Sequence, residues 1–165
     1  MTKKYFLQMA GYNIWANNLV EDWVSRISLD QWETPIVSSF GSIAATILHI
    51  TGAEKVWLDR LNYADPIGWL PTEFKGSREE LLATWSHASA GLKQFLENFD
   101  EARMMENISF KRINGDAYLM PYYQVFAHVF NHSTFHRGQV VTLLRQVGFT
   151  DVGSTDLLGF YRLKN

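Results

Sequence analysis

Apolar residues recur every three or four positions through most of the chain. From Lys4 to Ile27, the positions Phe6, Met9, Ala10, Ile14, Leu19, Val20, Trp23, Val24 and Ile27 keep helical spacing, which predicts a long amphipathic helix. Ser28 and Gln31 have the spacing of a capping box and Pro35 follows, predicting a short helical turn and then an irregular link up to Phe40. A second long helix is expected to start at Gly41 or Ser42. It carries Ile43, Ile47, Ile50, Val56, Trp57 and Leu61 to about Ala64, beyond which Pro66 and Pro71 forbid continuation. After a loop, Ser77 is an N-cap with Glu80 three residues on, and Leu81, Leu82, Trp85, Leu92, Phe95, Leu96 and Phe99 mark a third helix ending near Asp100. The period then changes. Ile108, Phe110 and Arg112 alternate with polar neighbours and Asn114-Gly115 is a strong hairpin turn, so a small β-hairpin is expected between Glu106 and Met120. Pro121 suits the first position of a fourth helix through Val125, Phe126, Val129, Phe130, Val140, Leu143 and Leu144 to a stop at Gly148. From Gly153 to Asn165 at most one short helix is expected.

Four long helices and one hairpin predict an all-α fold, a four-helix bundle with long crossovers formed by a single domain over residues 1–165. The chain has 47% apolar and 15% aromatic residues, the make-up of a packed core rather than of a disordered segment. Its net charge of −2 gives no electrostatic reason to expect a nucleic acid or membrane surface as partner. No apolar run reaches the length of a membrane span or a signal-peptide core, and the expectation is a soluble cytoplasmic protein. The absence of cysteine excludes disulfides, thiolate metal ligands and a cysteine nucleophile together. Any metal must be held by nitrogen or oxygen.

The histidines carry the chemistry. His128, His132 and His136 fall on the fourth predicted helix, and His49 on the second. At about 100° per residue, His132 and His136 stack one turn apart on nearly one face and can reach one ion. His128 lies a further turn away, about 80° round from His136, as a neighbour of the ligands rather than a third ligand. His49, flanked by Leu48 and Ile50, is the best third ligand. Three neutral imidazoles leave coordination positions open, a catalytic rather than a structural arrangement, and they favour an anionic fourth ligand such as hydroxide, thiolate or carboxylate. His87, in the polar stretch Trp85-Ser86-His87-Ala88-Ser89, reads as an ordinary surface residue.

Competing motifs fail on residue identity. His132 is followed by Ser133, not the glutamate of a zinc metalloprotease. The residues three before His49, His132 and His136 are Thr46, Val129 and Ser133, so a di-iron Glu-x-x-His pattern is missing. Neither a phosphate-binding glycine loop nor a Gly-x-Ser-x-Gly elbow occurs. Gly52 and Gly138 sit inside predicted helices near the proposed ligands, each at a cost of about 1 kcal/mol relative to alanine, which close helix approach would explain.

The segment Ala127-His128-Val129-Phe130-Asn131-His132-Ser133-Thr134-Phe135-His136-Arg137-Gly138-Gln139-Val140 resembles the His-x-x-Asn-His-x-x-x-His-Arg-Gly-Gln motif of the DinB (DinB/YfiT-like) family, bacterial proteins taken to be metalloenzymes. The stretch Tyr12 to Asn17 and the stretch His49 to Leu61 resemble the family's first-helix and second-helix patterns in order and spacing. The resemblance runs from Tyr5 to Tyr161. It implies an up-down-down-up four-helix bundle, often a homodimer, with a divalent ion, zinc or nickel, on His49, His132 and His136. Some branches of the family are transferases or isomerases that use a low-molecular-weight thiol.

Three functions stay open on this reading. The first is a metal-dependent transferase acting on a small-molecule substrate with a small thiol as co-substrate, since the metal would lower the thiol's pKa. The second is a metal-dependent hydrolase, and the third a non-catalytic, stress-associated metal-binding bundle. Gln139, on the ligand face, is expected either to bond a substrate or to make a structural bond. Tyr12, Trp15 and Trp57 are candidates for pocket walls or core. Arg137, about 100° from His136, is expected to pair with an acid inside the bundle or at a dimer contact.

Overall fold

The computed structural model describes residues 2–111 and 115–163. Four long helices dominate: α1 (Lys3–Ser25), α3 (Ile43–Leu61), α5 (Arg78–Asn98) and α6 (Tyr122–Gln146). Shorter pieces are α2 (Leu29–Glu33), α4 (Leu70–Glu73), a 3-10 turn (Glu101–Met105) and α7 (Leu157–Arg162). Local sequence starts these helices. Ser28 and Ser77 each close a reciprocal capping box, with Gln31 and Glu80, while Ser42 accepts from the Ala45 N–H; each satisfies amide donors that the first helical turn leaves without partners. Gly148, at φ +86°, turns the chain off the end of α6 in the left-handed conformation that glycine adopts freely. Two details differ from the periodicity. Pro121 caps α6 as the last residue of the preceding strand. The loop after α3 contains α4, where Pro71 starts a helix, its fixed φ and missing N–H suiting the first turn.

The hairpin pairs β1 (Asn107–Lys111) with β2 (Ala117–Pro121) in antiparallel register, Ile108 opposite Met120 and Phe110 opposite Tyr118. Those four side chains therefore share one face, which is laid over the bundle with Ile108 fully buried. Arg112 and Asn114 of the expected turn lie outside the described residues; Gly115 has φ +91°.

α1 and α3 lie on one diagonal of the bundle, each packed against both α5 and α6. Side-chain contacts set the directions. Glu54 meets Ser89 and Leu58 meets Gly91, so α3 and α5 run parallel. Asn17 meets Ser89 and Val24 meets Arg78, so α1 opposes α5. Phe6 packs on Phe126 and Asn17 on Arg137, so α1 and α6 are parallel. The result is an up-down-down-up bundle.

Its core is divided by a polar layer. One apolar cluster fills one end, with Phe6, Leu61, Leu96, Phe99 and Phe126, and another the opposite end, with Val20, Ile43, Ile47, Trp85 and Leu144. Between them lie Asn13, Asn17, Glu54, Ser89, Ser133 and Arg137, all nearly inaccessible to solvent. Glu54 Oε1 accepts from Asn13 Nδ2 at 2.9 Å, Asn17 Nδ2 at 3.1 Å, Trp85 Nε1 at 3.2 Å and Ser133 Oγ at 2.8 Å. Its Oε2 accepts from Ser89 Oγ at 2.6 Å. Arg137 donates to the carbonyls of Asn13 and Asn17, so two asparagines join a buried carboxylate to a buried guanidinium. Such a pair is tolerable in low dielectric because both carboxylate oxygens and both terminal guanidinium nitrogens have partners, Thr134 Oγ1 accepting from the second of these at 2.9 Å, while Arg137 Nε has none among the described residues. Among the described residues no helix is long and apolar enough to cross a membrane.

Candidate metal centre and cavity

The polar layer fixes how α6 is rotated, and that rotation presents the histidines. Ser133 and Arg137 point into the bundle. His132 and His136, each one residue earlier, therefore face the groove between α6 and α3, about 100° round the helix. Across that groove stands His49. One ring nitrogen from each of the three histidines lies within 4.8 Å of the others, a group that could hold a metal ion. The Nε2 atoms of His49 and His132 are 3.0 Å apart, close to the roughly 3.3 Å that two nitrogen ligands of a tetrahedral ion about 2.05 Å away would show.

Neighbours set the tautomers and charge. His136 Nδ1–H donates to Gln139 Oε1 at 2.7 Å, leaving Nε2 as the free lone pair. Gln139 Nε2 in turn reaches Ser39 Oγ at 3.3 Å. Phe40 stacks on His49 with ring centres 4.1 Å apart. Burial, and secondarily the neighbouring His136, pushes the His49 pKa down to about 4. Burial followed by the other imidazoles pushes His132 down to about 3. His49 and His132 are thus neutral at pH 7, the state in which an imidazole ligates. His132 Nδ1 is buried and has no hydrogen-bond partner among the described residues. The donor set, three imidazole nitrogens within 4.8 Å of one another, suits a metal ion that accepts nitrogen ligands.

A cavity of about 770 Å³ opens beside the cluster, with His49 and His132 at one end and Trp57, Trp69, Phe110, Tyr118, Met120, His128 and Arg60 among its walls. The hairpin supplies three of these, Phe110, Tyr118 and Met120, from its single apolar face. Size and lining match small-molecule sites, which are mostly apolar with a few polar groups.

The model of the DinB family matches residues 1–163. The chain belongs to the DinB family. It is 26% identical over 157 residues to Protein DinB of Bacillus subtilis strain 168, covering 86% of this chain and 88% of that protein. Crystal structures of DinB-like proteins superpose on it. One from Bacillus cereus ATCC 10987 gives a TM-score of 0.71 at 19% identity over 93% of this chain and 97% of its own. Another, from Bacillus subtilis, gives 0.66 at 14% identity over 90% and 97%. At these identities the structures establish the shared fold.

Of the residues the sequence singled out, the DinB fold brings together His49, His132, His136 and Gln139 at the cluster, with His128 and Trp57 on the adjoining cavity wall, their rings 5.6 Å apart. His128 touches His132 through its ring, 5.8 Å centre to centre. Gln139 bonds His136. Tyr12 and Trp15 are not brought to this cavity. They sit on α1, packed on Phe160 of α7, where Tyr12 Oη donates to the Thr155 carbonyl at 2.8 Å and its ring lies 5.2 Å from the Arg137 guanidinium. The close approach expected at Gly52 is real but comes from Pro71 of α4, whose Cδ would stand 2.6 Å from an added Cβ; around Gly138 nothing lies within 4 Å. Arg137 meets an acid inside the bundle, Glu54, through Asn13 and Asn17 rather than by direct contact. Glu54 escaped the sequence reading although the signal was present. Ile47, Ile50, Glu54, Trp57 and Leu61 keep one helical stripe, and a charge on an apolar stripe marks a buried group. Phe40, Trp69 and Arg60 were missed as well, the first two because loops show no periodicity.

Proposed function

We propose that the protein is a divalent-metal-dependent transferase in which His49, His132 and His136 hold zinc or nickel and a low-molecular-weight thiol attacks a small electrophile bound in the adjoining cavity. The observation that supports it most directly is an all-imidazole cluster opening onto an apolar cavity. A divalent ion held by neutral ligands supplies a positive centre that lowers the pKa of a thiol, a nucleophile the cysteine-free chain cannot provide itself. The residues prepare the rest. Gln139 holds the His136 tautomer, Phe40 stacks on His49, and Trp57, Trp69 and Phe110 exclude water from a bound electrophile. Among the described residues that line the cavity there is no carboxylate, so the general base that a carboxylate-assisted hydrolase would use is missing. That observation ranks transfer to a thiol above hydrolysis.

The test is a cobalt-substituted protein titrated with a panel of thiols. A sulfur-to-metal charge-transfer band near neutral pH, lost in His132→Ala together with metal-dependent conjugation, is the expected result. Metal-dependent ester hydrolysis with no thiol-induced band would replace transferase by hydrolase.

A further inference from the structure

Arg60 is a cation built into an apolar wall. It is 8% exposed, its guanidinium carbon 4.7 Å from the Trp57 ring centre and 5.0 Å from that of Phe110. One terminal nitrogen donates to the Lys111 carbonyl at 3.0 Å. These contacts orient the guanidinium plane by stacking and by the bond to Lys111. Arg60 also borders a second cavity of about 530 Å³ that shares Trp69 and Phe110 with the first. Arg60 therefore stands at the neck between two hollows.

His49 and Arg60 are on the same helix and line the same cavity. Their eleven-residue separation is a rise of about 16 Å along α3, so the cavity is long, with the histidines towards one end and Arg60 towards the other. No acidic residue lines it among the described residues. A fixed cation among aromatic walls attracts an anion far more strongly than it would in water.

We propose that Arg60 is the anion-recognising end of this cavity and that its ligand is an elongated monocarboxylate. The carboxylate bonds the guanidinium, an aryl or aliphatic body lies against Trp57 and Phe110, and the far end reaches His49 and His132. Only the reactivity of that far end rests on the transferase reading; the recognition of the acid does not.

The experiment compares 6-phenylhexanoate with 6-phenylhexanamide, equal in shape and differing in charge, titrated into chelator-treated protein by calorimetry with tryptophan fluorescence in parallel. The acid should bind at least tenfold more tightly than the amide. Arg60→Met should reduce that preference to less than twofold while leaving zinc uptake unchanged. Arg60→Lys, which keeps charge and bulk, should retain a severalfold preference if the methionine variant folds poorly. Equal binding of acid and amide by the wild-type protein would overturn the proposal. So would an acid preference that arises only on adding zinc and ignores Arg60 substitution, since the carboxylate would then sit at the histidines. Failure of the wild-type protein to take up zinc would count against the transferase reading alone and leave the acid–amide comparison standing.

Discussion

Gln139 illustrates how one side chain prepares a ligand. Its carbonyl fixes the proton on His136 Nδ1, and removing such a partner typically costs 10- to 100-fold in metal affinity. Gln139→Leu should therefore weaken zinc binding by about that factor in a competition titration with a chromophoric chelator, whereas His87→Ala should leave it unchanged. Equal affinities for Gln139→Leu and wild type would show that the bond does not orient the ring. Glu21 presents a different case. Half-buried on α1, it accepts two bonds from Ser86 Oγ, at 2.9 and 3.0 Å, yet burial, aided by the charge of Glu54, lifts its pKa from 4.5 to about 7. A carboxyl whose folded pKa is raised favours the fold while protonated. Its contribution is complete below pH 4.5 and is lost as pH rises through 7. Glu21→Gln keeps an oxygen for Ser86 and should raise stability at pH 8 by about 1–2 kcal/mol, a value reduced for solvent screening, with little change at pH 4.5. Denaturant melts at the two pH values check this, and an unchanged pH 8 midpoint would contradict it.

At the scale of elements, α6 serves two faces with adjacent residues: His132 and His136 towards α3, Ser133 and Arg137 towards the polar layer. Glu54→Ala would strand the donors of Asn13, Trp85 and Ser133 and leave the Arg137 charge uncompensated, so it should destabilise the fold by about 3–5 kcal/mol in chemical denaturation. A loss below about 1 kcal/mol would mean the layer is far wetter than its burial implies. The two helical glycines should respond in opposite directions. Gly52→Ala drives a methyl into the rigid Pro71 ring and should cost about 1–3 kcal/mol, whereas Gly138→Ala meets open space and should gain up to about 1 kcal/mol of helix propensity. Melting temperatures of the pair decide the point. What could be read in advance follows the range of the signal. Capping boxes at Ser28 and Ser77, the stop at Gly148 and the His132–His136 spacing are written within a few residues of one another. The wall at Trp69 depends on where a loop crosses a groove, and Glu54 on which stripe of α3 meets three other helices. Neither is visible to a window that slides along one segment.

For the whole molecule, an ion that binds only the folded state adds stability by mass action, about 2.7 kcal/mol at a hundredfold excess over Kd, or about 5–10 °C in Tm for a chain of this length. That gain should shrink as the medium is acidified. His49 and His132 are held neutral by the fold, so their contribution is present above the ordinary imidazole value of 6.5 and fades as pH falls toward 4. In the folded protein both rings stay neutral down to about pH 4, so zinc should raise Tm to a similar extent at pH 7.5 and pH 5.5 and lose that effect as pH falls through 4; a rise undiminished at pH 3 would exclude ligation by these imidazoles. The antiparallel pairing of α3 with α6 brings together residues 83 positions apart, and the polar layer sets their relative rotation. Zinc fingers order themselves around their metal; this bundle arrives at the site already shaped. Metal loading should then follow a single fast bimolecular phase with no change in amide exchange at Ser133 or Arg137. A cell could strip and reload the ion, or exchange one metal for another, without sending the chain back through its folding pathway.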